Sequence, residues 1–457
     1  MPRVPPLTSA PPSLSPSAAF CAKSGGGSCA APLAAAVRQG LFDGEEEEVP
    51  LCVFYDLDLF DAHLATLKEA FGSTVQHRMA IKACPLSRLM RYAYERWGFG
   101  VECASMGEVK LALEHCQIPA SMLVFDSPAK TRKELQFALD QKIHTNLDNF
   151  VEYQRAKELL AAKATTAKTQ TATGLGPEMG VVGLRINPLV GAGQIEALSV
   201  STPESKFGVP VTELEKIRAA FRESPWLTCL HIHIGSGGMG LVVLTQGIRV
   251  LVDTAKDLNG SLGRRQISVL DIGGGLPANY ASDRMDEGPV PNFSQYAKHL
   301  KEQIPELFSG EFQVITEFGQ ALFAKMGFLA SRIEWLKGSE EKPIVVSHFG
   351  ADLCLRQAYT TQHPRRLEAY KADGSAFETE GEPESKRRKR CLVAGPLCFQ
   401  GDVVSKDALL PAELKEGDLL VMKDAGTPNA TSESVEFVEI KPRETMQQLY
   451  DFWGPLA

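Results

Sequence analysis

The sequence predicts a (β/α)8 barrel followed by a separate β domain. The middle of the chain alternates short, nearly continuous apolar runs with amphipathic helical patterns, as is typical of parallel strands covered on both faces. Eight such units lie within roughly 240 residues, which is the number of units in a (β/α)8 barrel. A doubly wound open sheet has the same alternation and is the alternative.

The eight predicted strands mostly end at a polar or glycine residue. They are Arg78–Lys82, Gly100–Cys103, Met122–Phe125, Ile143–Asn146, Val181–Asn187, Cys229–Gly235, Ile267–Asp271 and Gln313–Glu317. The helical patterns between them include Leu86–Arg96, Met106–Glu114, Thr131–Gln141 and Leu244–Asn259. Because barrel enzymes build their active sites at the carboxyl ends of the strands, these strand ends are the candidate site.

After Ala321 the pattern changes to short strand-like runs separated by turn residues. Examples are Ile344–Ser347, Cys391–Ala394 and Leu419–Lys423. These runs predict a β domain that also includes the strand Leu51–Tyr55, which precedes the barrel.

We therefore expect the barrel over residues 56–322 and the β domain over residues 49–55 and 323–457. A charged loop insertion is expected at about residues 371–390, where a charged segment ends in a basic run.

Residues 1–48 are expected to be a disordered tail or a cleaved transit peptide. The segment up to about Gly40 is rich in Ser, Pro, Ala and Gly, and no acidic residue precedes Asp43. Such a composition buries too little apolar surface to fold alone. It is also typical of an organelle address, and the lack of an Arg-rich amphipathic helix favours a plastid over a mitochondrion. The expected location is cytoplasmic or plastid.

The composition excludes several functional classes. The chain has 48 basic and 56 acidic residues and a formal net charge of −8, whereas a general nucleic-acid binder needs a basic face. No run of about 18 uncharged apolar residues occurs, so no membrane-spanning helix is expected. The ten cysteines form no C-x-x-C pair and are expected to be reduced thiols in an intracellular compartment.

Lys82 is the candidate nucleophile. It ends the apolar run from Met79, and burial of an ammonium group there should lower its pKa. A neutral lysine amine can form a Schiff base with an aldehyde cofactor or a carbonyl substrate. The alternative is a strand-end lysine whose amine simply reaches solvent.

Two glycine-rich turns are candidate anion-binding sites. One is Asp271–Gly275 (DIGGG), and the other is Gly235–Gly238, which contains the hydroxyl of Ser236. Consecutive glycines let backbone N–H groups approach an anion closely. Neither turn matches the dinucleotide or P-loop pattern.

His231, His233 and Glu317 complete the set of candidate residues. The two histidines alternate on one strand and therefore point to the same side. No third ligand with convincing spacing is present, so no metal site is expected and core or stacking roles are favoured. Glu317 is either a carboxylate of the site or a capped strand end.

Eight short motifs occur in order between about Val53 and Gly426. They are Ala80–Pro85 (AIKACP), Gly100–Glu108 (GVECASMGE), Ser205–Gly208 (SKFG), His231–Ser236 (HIHIGS), Asp271–Gly275 (DIGGG), Glu317–Gln320 (EFGQ), Gly395–Cys398 (GPLC) and Asp424–Gly426 (DAG). Together they resemble the pyridoxal-phosphate decarboxylases of the alanine-racemase fold, the group of diaminopimelate, ornithine and arginine decarboxylases. The motifs are most similar to those of the diaminopimelate decarboxylases.

This resemblance implies a pyridoxal 5′-phosphate cofactor and a homodimer with shared active sites. Lys82 would hold the cofactor as a Schiff base, His233 would stack on its ring, and Glu317 would pair with the ring nitrogen. A carboxylate there keeps the nitrogen protonated, so that the ring can accept electrons. The phosphate would be bound by Ser236, Gly273, Gly274 and Gly275.

Cys398 matches a cysteine that the partner subunit donates, and it would protonate the carbon from which carbon dioxide departs. The residues implied to contact the substrate are Arg356, Tyr359, Phe399 and Gln320.

Several substrate positions depart from the family pattern. Gln320 replaces an arginine that contacts substrate or phosphate, and Phe399 replaces a glutamate of the diaminopimelate decarboxylases. Tyr359 is displaced by one position, and Thr427 lies where a tyrosine is expected. The loss of a charge partner disfavours a ligand that needs it. These departures predict a substrate other than diaminopimelate, with a neutral or sulfur-containing side chain.

The sequence thus predicts decarboxylation of an amino acid through a Schiff base at Lys82. An amino-acid racemase on the same barrel is one alternative, but it would need a second base, and the missing tyrosine near Thr427 counts against it. A catalytically silent, cofactor-binding relative that acts as a regulatory or binding subunit is another. Retention of Lys82, Glu317 and Cys398 argues against a silent relative.

Overall fold

The structure is a computed structural model that describes residues 29–42, 50–167, 179–191, 200–283, 290–354, 365–377 and 387–427. Its strands are β1 (Leu51–Tyr55), β2 (Val75–Ala80), β3 (Gly100–Cys103), β4 (Leu123–Phe125), β5 (His144–Leu147), β6 (Val182–Asn187), β7 (Val209–Pro210), β8 (Leu227–His231), β9 (Val269–Asp271), β10 (Gln313–Thr316), β11 (Gly327–Gly338), β12 (Pro343–Ser347), β13 (Leu367–Tyr370), β14 (Arg388–Ala394), β15 (Val403–Pro411) and β16 (Leu419–Met422). Its α-helices are α1 (Ala30–Arg38), α2 (Leu57–Phe71), α3 (Ser87–Trp97), α4 (Met106–Lys110), α5 (Arg132–Asp140), α6 (Phe150–Ala167), α7 (Leu214–Glu223), α8 (Leu241–Leu262), α9 (Phe293–Gln303) and α10 (Gln320–Phe323).

The barrel prediction is confirmed. Eight parallel strands hydrogen-bond in the order β5-β4-β3-β2-β10-β9-β8-β6, and the pairing of β5 with β6 closes the ring. This closure excludes the open sheet. Because the strands are parallel, their carboxyl ends all lie at one edge of the barrel.

The barrel strands are apolar because they are covered on both faces, as the sequence predicted. Residues of β3, β5 and β6 are buried along their whole length, since helices cover the outside and side chains fill the inside. Helix α5 begins with a capping box formed by Thr131 and Glu134, and α3 ends at Gly98 in the left-handed conformation. These local signals fix where each helix returns to the next strand.

The β domain is also present. Its long strand β11 pairs with β1, β12 and β16, and the sheet continues through β14 and β15 on one side and β13 on the other. The end of the basic run differs from the expected loop, because Arg388, Lys389 and Arg390 begin β14 and pair with β15. Exposed edge-proximal strands tolerate basic side chains. Residues 378–386 of the expected insertion lie outside the described residues.

The expectation of a disordered tail is wrong for residues 29–42. Helix α1 packs against the β domain, and Leu33 and Phe42 are completely buried beside Tyr370 and Val421. The segment cannot fold alone, but the apolar face of the sheet supplies the burial that its own composition lacks. Residues 1–28 and 43–48 of the expected tail lie outside the described residues.

No helix in the described ranges is long and apolar enough to cross a membrane. The nine cysteines in those ranges are free thiols, and all but Cys52 and Cys398 are buried.

Candidate active site

Lys82 and Glu102 form an ion pair at the carboxyl ends of β2 and β3. Lys82 lies in the single 3-10 turn Ile81–Ala83, directly after β2, and its Nζ is 2.9 Å and 3.0 Å from the two carboxylate oxygens of Glu102. The Lys82 side chain is 46% exposed, whereas that of Glu102 is 1% exposed. The amine is therefore accessible to a small molecule, while its partner carboxylate is not.

The expected fall in the pKa of Lys82 is wrong. Desolvation does lower the pKa, but the nearby carboxylates of Glu102, Glu317 and Glu108 outweigh it and raise the pKa above the usual lysine range. The sequence-based argument considered burial alone and not the charges that neighbouring strands supply. The amine must lose a proton before it can react with an aldehyde, and the carboxylate of Glu102 is positioned to accept it.

Glu317 follows β10 and is enclosed by two imidazoles. Its Oε2 is 3.6 Å from His231 Nε2 and 3.9 Å from His233 Nδ1. Burial alone would raise the pKa of Glu317, but His231 and the hydrogen bonds around the carboxylate hold it well below the usual range. Glu317 Oε1 is buried and has no hydrogen-bond partner among the described residues. An ionised carboxylate with an open acceptor atom fits a protonated ring nitrogen.

His233 is a neutral imidazole. Burial lowers its pKa to about 4, and its Nδ1 accepts a hydrogen bond from the Gly274 N–H at 3.4 Å. A neutral, flat ring beside Glu317 fits the expected stacking on a pyridine ring.

The two glycine-rich turns touch each other. A Cβ on Gly275 would collide with the carbonyl oxygen of Gly235, and one on Gly274 would collide with that of Glu317. The N–H groups of Gly273 and Gly274 already donate to Asp271 Oδ1 and His233 Nδ1. The candidate donors to an anion are therefore the Gly275 N–H and the hydroxyl of the half-buried Ser236 in the adjoining turn.

A buried polar network below Glu317 contains residues that the sequence analysis did not assign. Asp126 Oδ2 is 3.3 Å from His231 Nε2, and Asp126 Oδ1 accepts a hydrogen bond from Asn146 Nδ2 at 2.7 Å. Asn146 Nδ2 is also 3.3 Å from Asp271 Oδ2. Asp126 directly follows β4, so the rule that polar residues at strand ends belong to the site would have found it.

Asp126 gives a pH-dependent prediction. Burial, followed by the charge of Glu317, raises the pKa of Asp126 from 3.8 to about 6. Between these values the unfolded chain releases a proton that the folded chain keeps, so stability is lost as pH rises through this window. Asp126→Asn cannot ionise and should escape that loss. From pH 4 to pH 7, the free energy of unfolding of the variant relative to that of wild type should therefore rise by on the order of 1–3 kcal/mol.

Urea denaturation at pH 4 and at pH 7 measures this difference. A free-energy difference between Asp126→Asn and wild type that does not change with pH would contradict the raised pKa of Asp126.

Arg185 is a second residue that the sequence analysis missed. Its guanidinium lies 4.5 Å over the ring of Phe207, within the SKFG motif, and 3.8 Å from Asp148 Oδ1. The Gly208 N–H donates to the same Asp148 oxygen at 3.2 Å. The motif thus fixes a buried cation at the end of β6.

Gln320 lies with the candidate residues at the carboxyl ends of the barrel strands, but Cys398 and Phe399 do not. The Gln320 amide lies beside Gly237 of the glycine-rich turn Gly235–Gly238. Cys398 and Phe399 are exposed on a loop of the β domain, and Phe399 is 53% exposed. Arg356 and Tyr359 lie outside the described residues.

The loop that carries Cys398 is held in a fixed shape. The Asp402 carboxylate accepts hydrogen bonds from the N–H groups of Leu397 and Ala351, at 2.7 Å and 2.6 Å. The loop therefore presents its thiol and its phenyl ring outward, away from the protein's own core.

The chain matches known proteins over most of its length. Residues 57–324 match the family model "Pyridoxal-dependent decarboxylase, pyridoxal binding domain". A diaminopimelate decarboxylase of Pseudomonas aeruginosa is 29% identical over 374 residues, covering 78% of this chain and 81% of the relative. The L-glutamyl-[BtrI acyl-carrier protein] decarboxylase of Niallia circulans is 25% identical over 395 residues, covering 84% and 85%.

Solved structures show the same fold. The diaminopimelate decarboxylase of Helicobacter pylori in complex with L-lysine superposes with a TM-score of 0.69 at 23% identity, covering 87% of this chain and 91% of that chain. The arginine decarboxylase of Paramecium bursaria Chlorella virus superposes with a TM-score of 0.66 at 17% identity, covering 87% and 96%.

Proposed function

The chain belongs to the pyridoxal-dependent decarboxylase family and is a pyridoxal-phosphate-dependent carboxy-lyase; from this premise we propose that Lys82 binds the cofactor and that the substrate is an amino acid other than diaminopimelate. The observation that carries the assignment is the convergence at one barrel edge of an accessible lysine amine and a buried, ionised carboxylate with an open acceptor. These groups belong to Lys82 and Glu317.

The bound cofactor supplies an aldehyde that reacts with amines and a ring that accepts electrons. Lys82 Nζ is the amine that would hold it, after its proton passes to the Glu102 carboxylate 2.9 Å away. Glu317 would keep a proton on the ring nitrogen, and the neutral imidazole of His233 would cover one face of the ring. Ser236, Gly273, Gly274 and Gly275 would enclose the phosphate, with the Gly275 N–H available as a donor.

The substrate proposal rests on the lack of charge at two positions that the family resemblance implies to contact the substrate. Gln320 is neutral and hydrogen-bonds to the hydroxyl of Tyr280, and Phe399 presents an apolar ring. A cationic distal group would find no carboxylate at position 399, so a neutral side chain is favoured. Relatives at similar identity differ in substrate by name, so overall similarity does not decide between amino acids.

A panel assay tests the function. Holoenzyme should release carbon dioxide from at least one α-amino acid with a neutral side chain and should discriminate against diaminopimelate by at least about tenfold in kcat/KM. Preference for diaminopimelate would overturn the substrate proposal. Cofactor binding without turnover of any amino acid would support a silent relative, and inversion without carbon dioxide release would support a racemase.

We further propose that Cys398 and Phe399 act in the active site of a partner subunit in a homodimer. Support comes from the rigid, outward-facing loop that Asp402 holds and from the exposure of Leu397 beside them. A thiol placed there would protonate the carbon that loses carbon dioxide.

Mixing two inactive variants tests this arrangement. Lys82→Ala and Cys398→Ala should each be inactive or nearly so, but subunit exchange at equal amounts should restore about one quarter of wild-type activity, because half of the dimers then contain one intact site. Activity no greater than the sum of the separate variants would place Cys398 in its own subunit's site or outside any site.

A further inference from the structure

Three segments distant in the sequence meet around Tyr280, and one of them, at Gln320, borders the glycine-rich turn Gly235–Gly238. Gln320 follows β10, Tyr280 follows β9, and Arg365 precedes β13 of the β domain. The side-chain amide of Gln320 is hydrogen-bonded to the hydroxyl of Tyr280. Its Oε1 is 3.0 Å from the position that a Cβ on Gly237 would occupy. The Gln320 amide therefore lies between the tyrosine and the turn.

The amide can present either of its ends to the turn. A glutamine amide carries a donor –NH2 group and an acceptor oxygen. A half-turn about its last bond lets the Tyr280 hydroxyl donate to Oε1, and Nε2 then points towards the turn as a donor. Tyr280 is thus able to position Gln320 as a neutral donor to an anion.

Arg365 places a positive charge on the Tyr280 ring. Its guanidinium carbon is 3.6 Å from the centroid of the Tyr280 ring, well within the range of a cation–π contact. Its Nη1 donates to the carbonyl oxygen of Asp424 at 2.8 Å, which fixes the group on the face of the ring. The charge therefore lies about one aromatic ring away from the Gln320 amide.

We propose that Arg365, held on Tyr280, supplies the positive charge for an anion bound at the Gly235–Gly238 turn, with Gln320 as the neutral donor. Gln320 carries no charge of its own, so the positive charge of this arrangement comes from the β domain. The anion is either the cofactor phosphate or the carboxylate of the substrate. This inference rests on the proposed function.

The experiment distinguishes the two candidate anions. Arg365→Gln is compared with wild type for the dissociation constant of pyridoxal phosphate from the apoenzyme and for KM and kcat of the best substrate. One of the two binding constants should rise roughly tenfold, as expected when a positive charge about one aromatic ring away is lost, while kcat changes less than threefold. A rise in the dissociation constant identifies the phosphate, and a rise in KM identifies the substrate carboxylate.

Two further variants separate this role from a structural one. Adding Gln320→Arg to Arg365→Gln should restore the affected constant to within about threefold, because it places a positive charge directly beside the turn. Arg390→Gln removes an exposed arginine from β14 and should leave both constants unchanged. Unchanged constants in Arg365→Gln, or a loss that Gln320→Arg does not restore, would overturn the proposal. If no amino acid is decarboxylated, the proposed function fails, but the cofactor measurement still tests Arg365.

Discussion

Lys82→Ala should abolish the visible absorbance of the bound cofactor and lower decarboxylation by at least about 10³-fold. Lys82 Nζ is the exposed amine at the strand ends, 2.9 Å from Glu102, and alanine removes the only atom of this side chain that can react with an aldehyde. Absorbance spectra of the purified protein and carbon dioxide release from the best substrate measure the two effects.

Two matched variants accompany this prediction. Lys82→Arg keeps a positive charge beside the buried Glu102 carboxylate but offers no amine for a Schiff base, so it should fold with wild-type stability and still lack the absorbance. Lys110→Ala removes an exposed lysine at the end of α4 and should retain absorbance and activity. If Lys82→Ala keeps the cofactor band, another amine holds the cofactor and the assignment of Lys82 is wrong.

Glu317→Gln should lower kcat by about 10²–10³-fold while the cofactor stays attached. The glutamine has nearly the same shape as the glutamate but carries no charge, so it cannot stabilise a proton on the ring nitrogen. The carboxylate is normally ionised because His231 and the surrounding hydrogen bonds hold its pKa well below the usual range. Steady-state kinetics give the loss in kcat, and the absorbance spectrum shows whether the cofactor is retained.

Glu311→Gln is the control, because it neutralises an exposed glutamate just before β10 without reaching the barrel interior. Its kcat should match that of wild type. A Glu317→Gln enzyme with kcat within threefold of wild type would mean that the ring nitrogen has another partner. Asp126, which lies beside His231, would then be the residue to examine.

Much of the fold could be predicted because it depends on local patterns. The apolar runs that became β2 to β6 and β8 to β10 are short and buried on both faces, and each is followed by a helical pattern or a turn. A parallel strand has this signature wherever it lies in the sequence. Segment 29–42 could not be predicted in the same way, because α1 is stable only against the sheet that buries Leu33 and Phe42.

By itself, the sequence determined the eight strand–helix units, the β domain, and which chemical groups stand at the strand ends; the pairing of β5 with β6 decided that the units close into a barrel. Strand periodicity and the glycines of Gly273–Gly275 are properties of neighbouring residues, so they can be read from a single chain. The tertiary structure decided the electrostatics. It reversed the expected pKa shift of Lys82 by placing Glu102 beside it, and it brought Asp126 to Glu317 and Arg365 to Tyr280. Electrostatic interactions depend on distances between residues that are far apart in the sequence, and only folding sets those distances.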